Sequence, residues 1–152
     1  MAENTRFPVA VHLLGWLAET DEDWVRSEAL AWSIDTNAVV VRRLVSKLAA
    51  AGLVETRRGT DGGVRLARPA ETISLAEIQS AVEDREGLRL HRPNPACAFG
   101  VALGVALAGH LRRCDAVMVG ELAKIRLSDV IPAKTKPVVA DAPDVAAARA
   151  DD

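Results

Sequence analysis

Apolar residues recur at helical spacing in the first third of the chain and alternate with polar ones just beyond it. Over TRFPVAVHLLGWLAE, positions 5–19, Leu13, Leu14 and Leu17 stack on Ala10 and Phe7. That predicts a helix with Thr5 as its cap and Pro8 in the first turn, where a missing N–H costs little. A polar TDED connection leads to SEALAWSI, positions 27–34, which predicts a short helix capped by Ser27 with Leu30 and Ile34 inward. The turn-forming DTN follows. A third helix is expected from Thr36 or Asn37 to Ala51, with Val40, Leu44, Leu48 and Ala51 on one face and Gly52 as its left-handed end.

The periodicity then shifts from helix to strand. LVETRR and VRLAR alternate on either side of GTDGG, whose glycines permit positive φ, so a hairpin is predicted. Two helices across a tight turn, followed by a basic hairpin, form a winged helix-turn-helix. Ser74, Leu75, Ala76 and Glu77 make a capping box that opens a helix to about Val82. The stretch EDREGLRLHRPNPAC is irregular. Beyond it a helix is expected from about Cys97 to Ile125, long enough to span ~42 Å.

That last helix is apolar through AFGVALGVALAGHL, more than so small a domain can bury. A second copy of the chain is the expected cover, and Gly100 and Gly104 would permit close helix approach. The fold class is therefore mainly α with a small β-hairpin. The expected layout is a DNA-binding domain over 1–82, a linker or sensor loop over 83–96, a dimerisation helix region over 97–130 and a disordered tail over 131–152.

Composition sharpens the picture in two places. The 152 residues are 49% hydrophobic and 26% charged, enough for one folded domain with a core. The net charge of −2 conceals an asymmetry. Positions 37–69 hold seven basic and two acidic residues, a net +5, which leaves −7 for the rest. A basic patch on an acidic protein implies an anionic partner approached from one side. The start of the chain shows no basic–apolar leader, and no apolar run reaches the ~18 residues of a membrane span, so a cytoplasmic protein without a membrane partner is expected. Two cysteines without an export signal point to reduced thiols.

NAVVVRRLVSKLAAAGLVETRRGTDGGVRLARPAETISLAEIQSAVE resembles the IscR/NsrR/CymR (Rrf2) family of bacterial winged-helix regulators. The AGLV, RG…GG and LARP…ISL elements stand in the family's order and spacing, and FPVAVHLL and HRPNPAC are similar to its YwnA-like branch. The resemblance spans about Thr5 to Val130. It implies a dimeric transcription factor, usually a repressor, on a near-palindromic operator in double-stranded DNA. It also implies dimerisation through the long helix and a sensor at that helix's start.

By position, the resemblance places base reading at Asn37, Val39 and Arg42 and a wing contact at Arg58. The residue types agree for Asn37, Arg42 and Arg58, since an arginine can fork onto a guanine. Val39 suits either a thymine methyl or the core. Arg43, Lys47, Arg57 and Arg65 are expected at phosphates, with Thr60 assisting; an ordinary solvated helix face is the alternative for Arg43 and Lys47.

Cys97 is the candidate sensor thiol, at a helix N-terminus whose dipole favours thiolate, with Arg92 near in sequence. The alternative is a small apolar spacer. Family members with an iron–sulfur cluster carry three closely spaced cysteines before the long helix, and here only Cys97 stands there. A cluster from His12, Cys97 and Cys114 is the alternative cofactor reading; no cofactor is the primary one. On a straight helix Cys97 and Cys114 lie ~25 Å apart. His110 and Cys114, one turn apart, suit activation of the thiol or zinc binding, but two ligands are too few for a structural zinc site, and Cys114 reads as a core or dimer-interface cysteine. His12 reads as a satisfied buried histidine, and Trp16, Trp24 and Trp32 as packing residues. Two further classes are an effector-insensitive DNA-binding or dimerisation module and a small Cys97–His91 thiol enzyme.

Overall fold

The computed structural model describes residues 5–20, 23–59, 62–83 and 90–132. Its elements are α1 (Arg6–Glu19), α2 (Ser27–Ile34), α3 (Ala38–Ala50), β1 (Val54–Arg57), β2 (Gly63–Leu66), α4 (Leu75–Val82), α5 (Ala98–Leu122) and α6 (Leu127–Val130). A 3-10 turn at Ala70–Thr72 joins β2 to α4. The described residues are mainly helical with one two-stranded antiparallel hairpin, as the pattern predicts.

Two expected side-chain caps do not form. Thr5 takes a helical conformation and makes no side-chain cap. Ser27 is the first residue of α2, and extended Arg26 holds the cap position. The reason at α2 lies one residue earlier: Val25 pairs with Val64 of β2 through N–O distances of 3.0 and 2.8 Å. That pairing keeps the chain extended until Arg26, so the helix can begin only after it.

Helix α3 is capped by Asn37, whose Oδ1 accepts the Val39 N–H at 2.7 Å. Its buried face is Val41, Leu44, Val45 and Leu48. Leu44 and Leu48 of the expected stripe face inward, but Val41 and Val45 are buried instead of Val40, which is only half-buried, and Ala51, which lies exposed past the helix end. Gly52 ends the helix at φ +70°. Its N–H donates to the Ala49 carbonyl and the Leu53 N–H to the Leu48 carbonyl, which satisfies two orphan acceptors.

The core joins Leu13 and Leu14 of α1, Leu30 of α2, Val41 and Leu48 of α3, and Ile78 and Val82 of α4. It also takes in Leu127, which is 0% exposed. The chain reaches that position by turning back after α5: the Leu75 N–H donates to Ile125 O at 3.0 Å, and the Leu127 N–H to Ile73 O at 2.8 Å. Ile125 and Ile131 pack against the same core. The far end of α5 is thus stitched to the winged domain. The capping box at Ser74 and Glu77 forms as expected.

Helix α5 runs 25 residues without interruption and has no buried residue. At 1.5 Å per residue it is ~37 Å long. Phe99 and Val105 are 75% and 74% exposed, and Val101, Leu103, Leu107, Val117, Met118 and Val119 are also exposed. Of the expected tail, only residues 131 and 132 are described.

Candidate nucleic-acid interface and thiol site

The interface is assembled from α3 and the wing. Asn37, Val39, Arg42 and Arg43 occupy the start and second turn of α3, and all four are exposed. Val39 is 48% exposed, which removes it from the core and leaves its methyls available to a base edge. Asn37 uses Oδ1 to cap α3, so its amide nitrogen is the group left to reach a partner.

The wing is held by three strands' worth of backbone. β1 and β2 pair from Val54↔Leu66 to Arg57↔Gly63, and Val25 bridges to Val64 on the other side. A Cβ on Gly63 would lie 2.9 Å from Val25 O and 3.0 Å from Trp24 Cβ, so only glycine allows this approach. At the tip Gly59 adopts φ +103° and its carbonyl accepts the Gly62 N–H at 2.9 Å. Thr60, expected to assist at a phosphate, lies outside the described residues.

The Trp24–Val25 approach puts the Trp24 ring beneath two arginines. The guanidinium carbon of Arg65 is 4.6 Å from the ring centroid and that of Arg57 is 6.0 Å. Trp24 therefore does more than fill space. Arg65 also pairs with Glu55 across the hairpin at 2.7 Å. Trp16 is the buried tryptophan, with an Nε1 that has no hydrogen-bond partner among the described residues. Trp32 is exposed rather than packed away.

The positive patch is partly neutralised from within. Arg42 bonds Glu28 of α2 at 2.8 Å, Arg65 bonds Glu55, and Arg68 bonds Glu77. Lys47, half-buried, donates to the Val82 carbonyl at the end of α4, 3.4 Å away. Among the described residues Arg43, Arg57 and Arg58 have no carboxylate partner. Glu77 itself accepts the Ser74 N–H at 2.8 Å, and this bond leads in holding its carboxyl below the ordinary range, with the Ser74 hydroxyl and Arg68 adding to it against the opposing effect of burial.

The thiol site lies at the opposite end of the long helix from the stitched segment. Cys97 is the N-cap of α5, exposed, and its Sγ accepts the Gly100 N–H at 3.3 Å. The turn is tight: a Cβ on Gly100 would lie 3.0 Å from Pro93 Cβ and 3.4 Å from Sγ. Cys114 is also exposed and unpaired to another cysteine. His110 directs Nδ1 to Arg113 Nη2, 2.8 Å away. His12 is exposed, not buried, and its Nε2 meets Ser33 Oγ at 3.0 Å.

These donors do not fit an iron–sulfur cluster held by one chain. Cys97 and Cys114 are seventeen positions apart along an unbroken helix, and no group of three His, Cys, Asp or Glu side chains suited to a metal occurs among the described residues. No helix of the described residues is long and apolar enough to cross a membrane.

A recognition helix, a basic wing and a helical arm define a winged-helix DNA-binding protein. Residues 4–133 match the Rrf2 family model, described as an iron-dependent transcriptional regulator. YwnA of Bacillus subtilis, named as an HTH-type transcriptional regulator, is 39% identical over 130 residues, covering 84% of this chain and 96% of its own. NsrR of Geobacillus kaustophilus, also named as an HTH-type transcriptional regulator, is 32% identical over 84% of this chain and 92% of its own. The structure of oxidized Staphylococcus aureus CymR superposes with a TM-score of 0.59 at 25% identity, covering 86% of this chain and 96% of that one. The chain belongs to the Rrf2 family of transcriptional regulators. The family and these relatives are transcriptional regulators rather than enzymes, which removes the thiol-enzyme alternative.

Local pattern gave no sign of three features of this site. Glu28 and Arg42 are fourteen positions apart. Trp24 is brought to the wing by the Val25–Val64 bridge, thirty-nine positions apart. The return of Leu127 to the core depends on a partner some fifty residues earlier, at Ile73.

Proposed function

We propose that the protein is a homodimeric, cytoplasmic repressor that reads a near-palindromic operator and responds to a thiol-reactive or redox signal at Cys97. The single observation that carries the dimer is α5: a 25-residue helix with no buried residue and a line of exposed apolar side chains from Phe99 to Val119. A monomer rarely leaves so large an apolar surface in water. Among the described residues no atom lies within 4 Å of a Cβ added at Gly104, which leaves room for a second helix to approach. Two-fold pairing through α5 presents two copies of α3 and the wing to half-sites about one helical turn apart.

In this reading Arg42 contacts a base, Asn37 offers its amide nitrogen, Val39 meets a thymine methyl, and Arg58 enters from the wing. Arg43 and Arg57 contact phosphates. Arg65 supports them from its place between Trp24 and Glu55, and Lys47 steadies α3 against α4.

The signal enters as a two-electron oxidation. A hydroperoxide transfers one oxygen to the Cys97 sulfur, giving a sulfenic acid, and is itself reduced to an alcohol or water. The added oxygen alters the sulfur that now accepts the Gly100 N–H. The cap changes, and α5 links it directly to the segment stitched into the winged domain at Leu75 and Leu127. The CymR structure that superposes on this chain is of an oxidized form, which is consistent with such a device in a relative.

The test is operator binding before and after hydrogen peroxide, with sedimentation velocity reporting assembly. The wild type should sediment as a dimer and change its DNA affinity on oxidation. Cys97→Ser should bind DNA as the reduced protein does and not respond. An undiminished response in Cys97→Ser rejects the thiol switch, and a monomer at micromolar concentration rejects the dimer.

A further inference from the structure

We infer that Glu28 is a specificity-determining positioning residue, which holds Arg42 for base reading and screens it from phosphates. The inference rests on the proposed base contact of Arg42 and adds a partner from a different helix. Glu28 lies in the first turn of α2, where the helix dipole favours a carboxylate. It is half-buried, so its own position is constrained. Its Oε1 accepts from Arg42 Nη2 at 2.8 Å across the helix-turn-helix. Arg42 is the more exposed partner and sits on the second turn of α3.

One N–H of the guanidinium is thereby committed. The remaining N–H groups stay in one plane, fixed relative to α3 by a carboxylate rooted in α2. An unrestrained arginine samples many rotamers and loses that freedom on binding; this one has lost part of it already. The pair also brings a negative charge beside the arginine. Non-specific binding is driven by phosphate neutralisation, whereas a guanine edge is read by the direction of two N–H bonds. A carboxylate at this place weakens the first and sharpens the second. Arg43, next to Arg42 on α3, and Arg58 in the wing have no carboxylate partner among the described residues, and the Arg65–Glu55 pair lies within the hairpin, whereas the Glu28–Arg42 pair joins two helices.

Duplexes enriched from a random library by the wild-type protein provide the probe. Base preference and affinity for random-sequence DNA are then measured for wild type, Glu28→Ala, Glu28→Gln and Arg42→Ala. Glu28→Ala should lose about tenfold discrimination at the base pair whose preference Arg42→Ala abolishes, and should bind random DNA more tightly. Glu28→Gln keeps an acceptor and removes the charge, so it should retain more of the discrimination while also gaining random-DNA affinity. A merely structural Glu28 would lower the melting temperature and leave both preferences as they were. Unchanged base preference in folded Glu28→Gln and Glu28→Ala overturns the inference. If Arg42→Ala alters no preference, the base contact of Arg42 falls and the inference falls with it.

Discussion

The indole ring of Trp24 lies 4.6 Å from the guanidinium carbon of Arg65, joining the segment before α2 to the second strand of the wing. A cation over a tryptophan face contributes about 0.5–1 kcal/mol at an exposed site. Trp24→Ala and Arg65→Ala should therefore couple by about that amount in a double-mutant cycle measured by urea unfolding. Trp24→Phe, which keeps a ring face, should lose less than Trp24→Ala. Additive single effects would show that the ring and the arginine do not interact.

Gly63 occupies the point where the Trp24–Val25 segment meets the wing, and the atoms nearest an added Cβ include backbone atoms of both residues, Trp24 C and Val25 O. Backbone cannot rotate away as a side chain can. Gly63→Ala should cost about 1–3 kcal/mol in unfolding free energy. It should also weaken DNA binding, because Val64 is the residue that bridges to Val25. A variant as stable as the wild type would contradict the close approach.

Leu127 is distant in sequence from the winged domain yet fully buried in its core. Leu127→Ala should destabilise the protein by about 2–5 kcal/mol, the usual range for a buried leucine. Thermal unfolding checks this. A negligible loss would mean that the segment after α5 is not held in the core.

Glu77 ties the capping box of α4 to Arg68, and its carboxyl is held below the ordinary range chiefly by the Ser74 backbone N–H. A depressed folded pKa contributes stability at pH values above the unfolded value. That contribution is lost as the pH falls through the folded value. Wild type should thus lose stability on acidification from pH 6 more steeply than Glu77→Gln, which cannot titrate. Parallel pH profiles of melting temperature for the two proteins would contradict this role.

Much of the fold is legible locally. The 3.6-residue spacing of Leu13, Leu14 and Leu17, the αL requirement at Gly52 and the Ser74–Glu77 box are each written within a few residues, and each forms. The errors are instructive in the same terms. Ser27 has the residue type of a cap, but the Val25–Val64 bridge delays the helix, a tertiary effect that overrides a local preference. Val40 and Val41 are chemically alike, so only the packed structure decides which faces inward. At the site, residue types identified which cations to consider. Their pairing by Glu28, Glu55 and Glu77, and the capping duty of Asn37, depend on distances that no spacing rule supplies.

The proposed operator reading rests most directly on Arg58, an exposed wing cation with no carboxylate partner among the described residues. The decisive measurement is the affinity of wild type and Arg58→Ala for a duplex enriched from a random library and for its scrambled counterpart. Sedimentation velocity and melting temperature establish that both proteins are folded and share one assembly state. Arg58→Ala should lose its preference for the enriched duplex while keeping weak, salt-dependent binding to both. Undiminished preference for the enriched duplex in that variant would contradict the account.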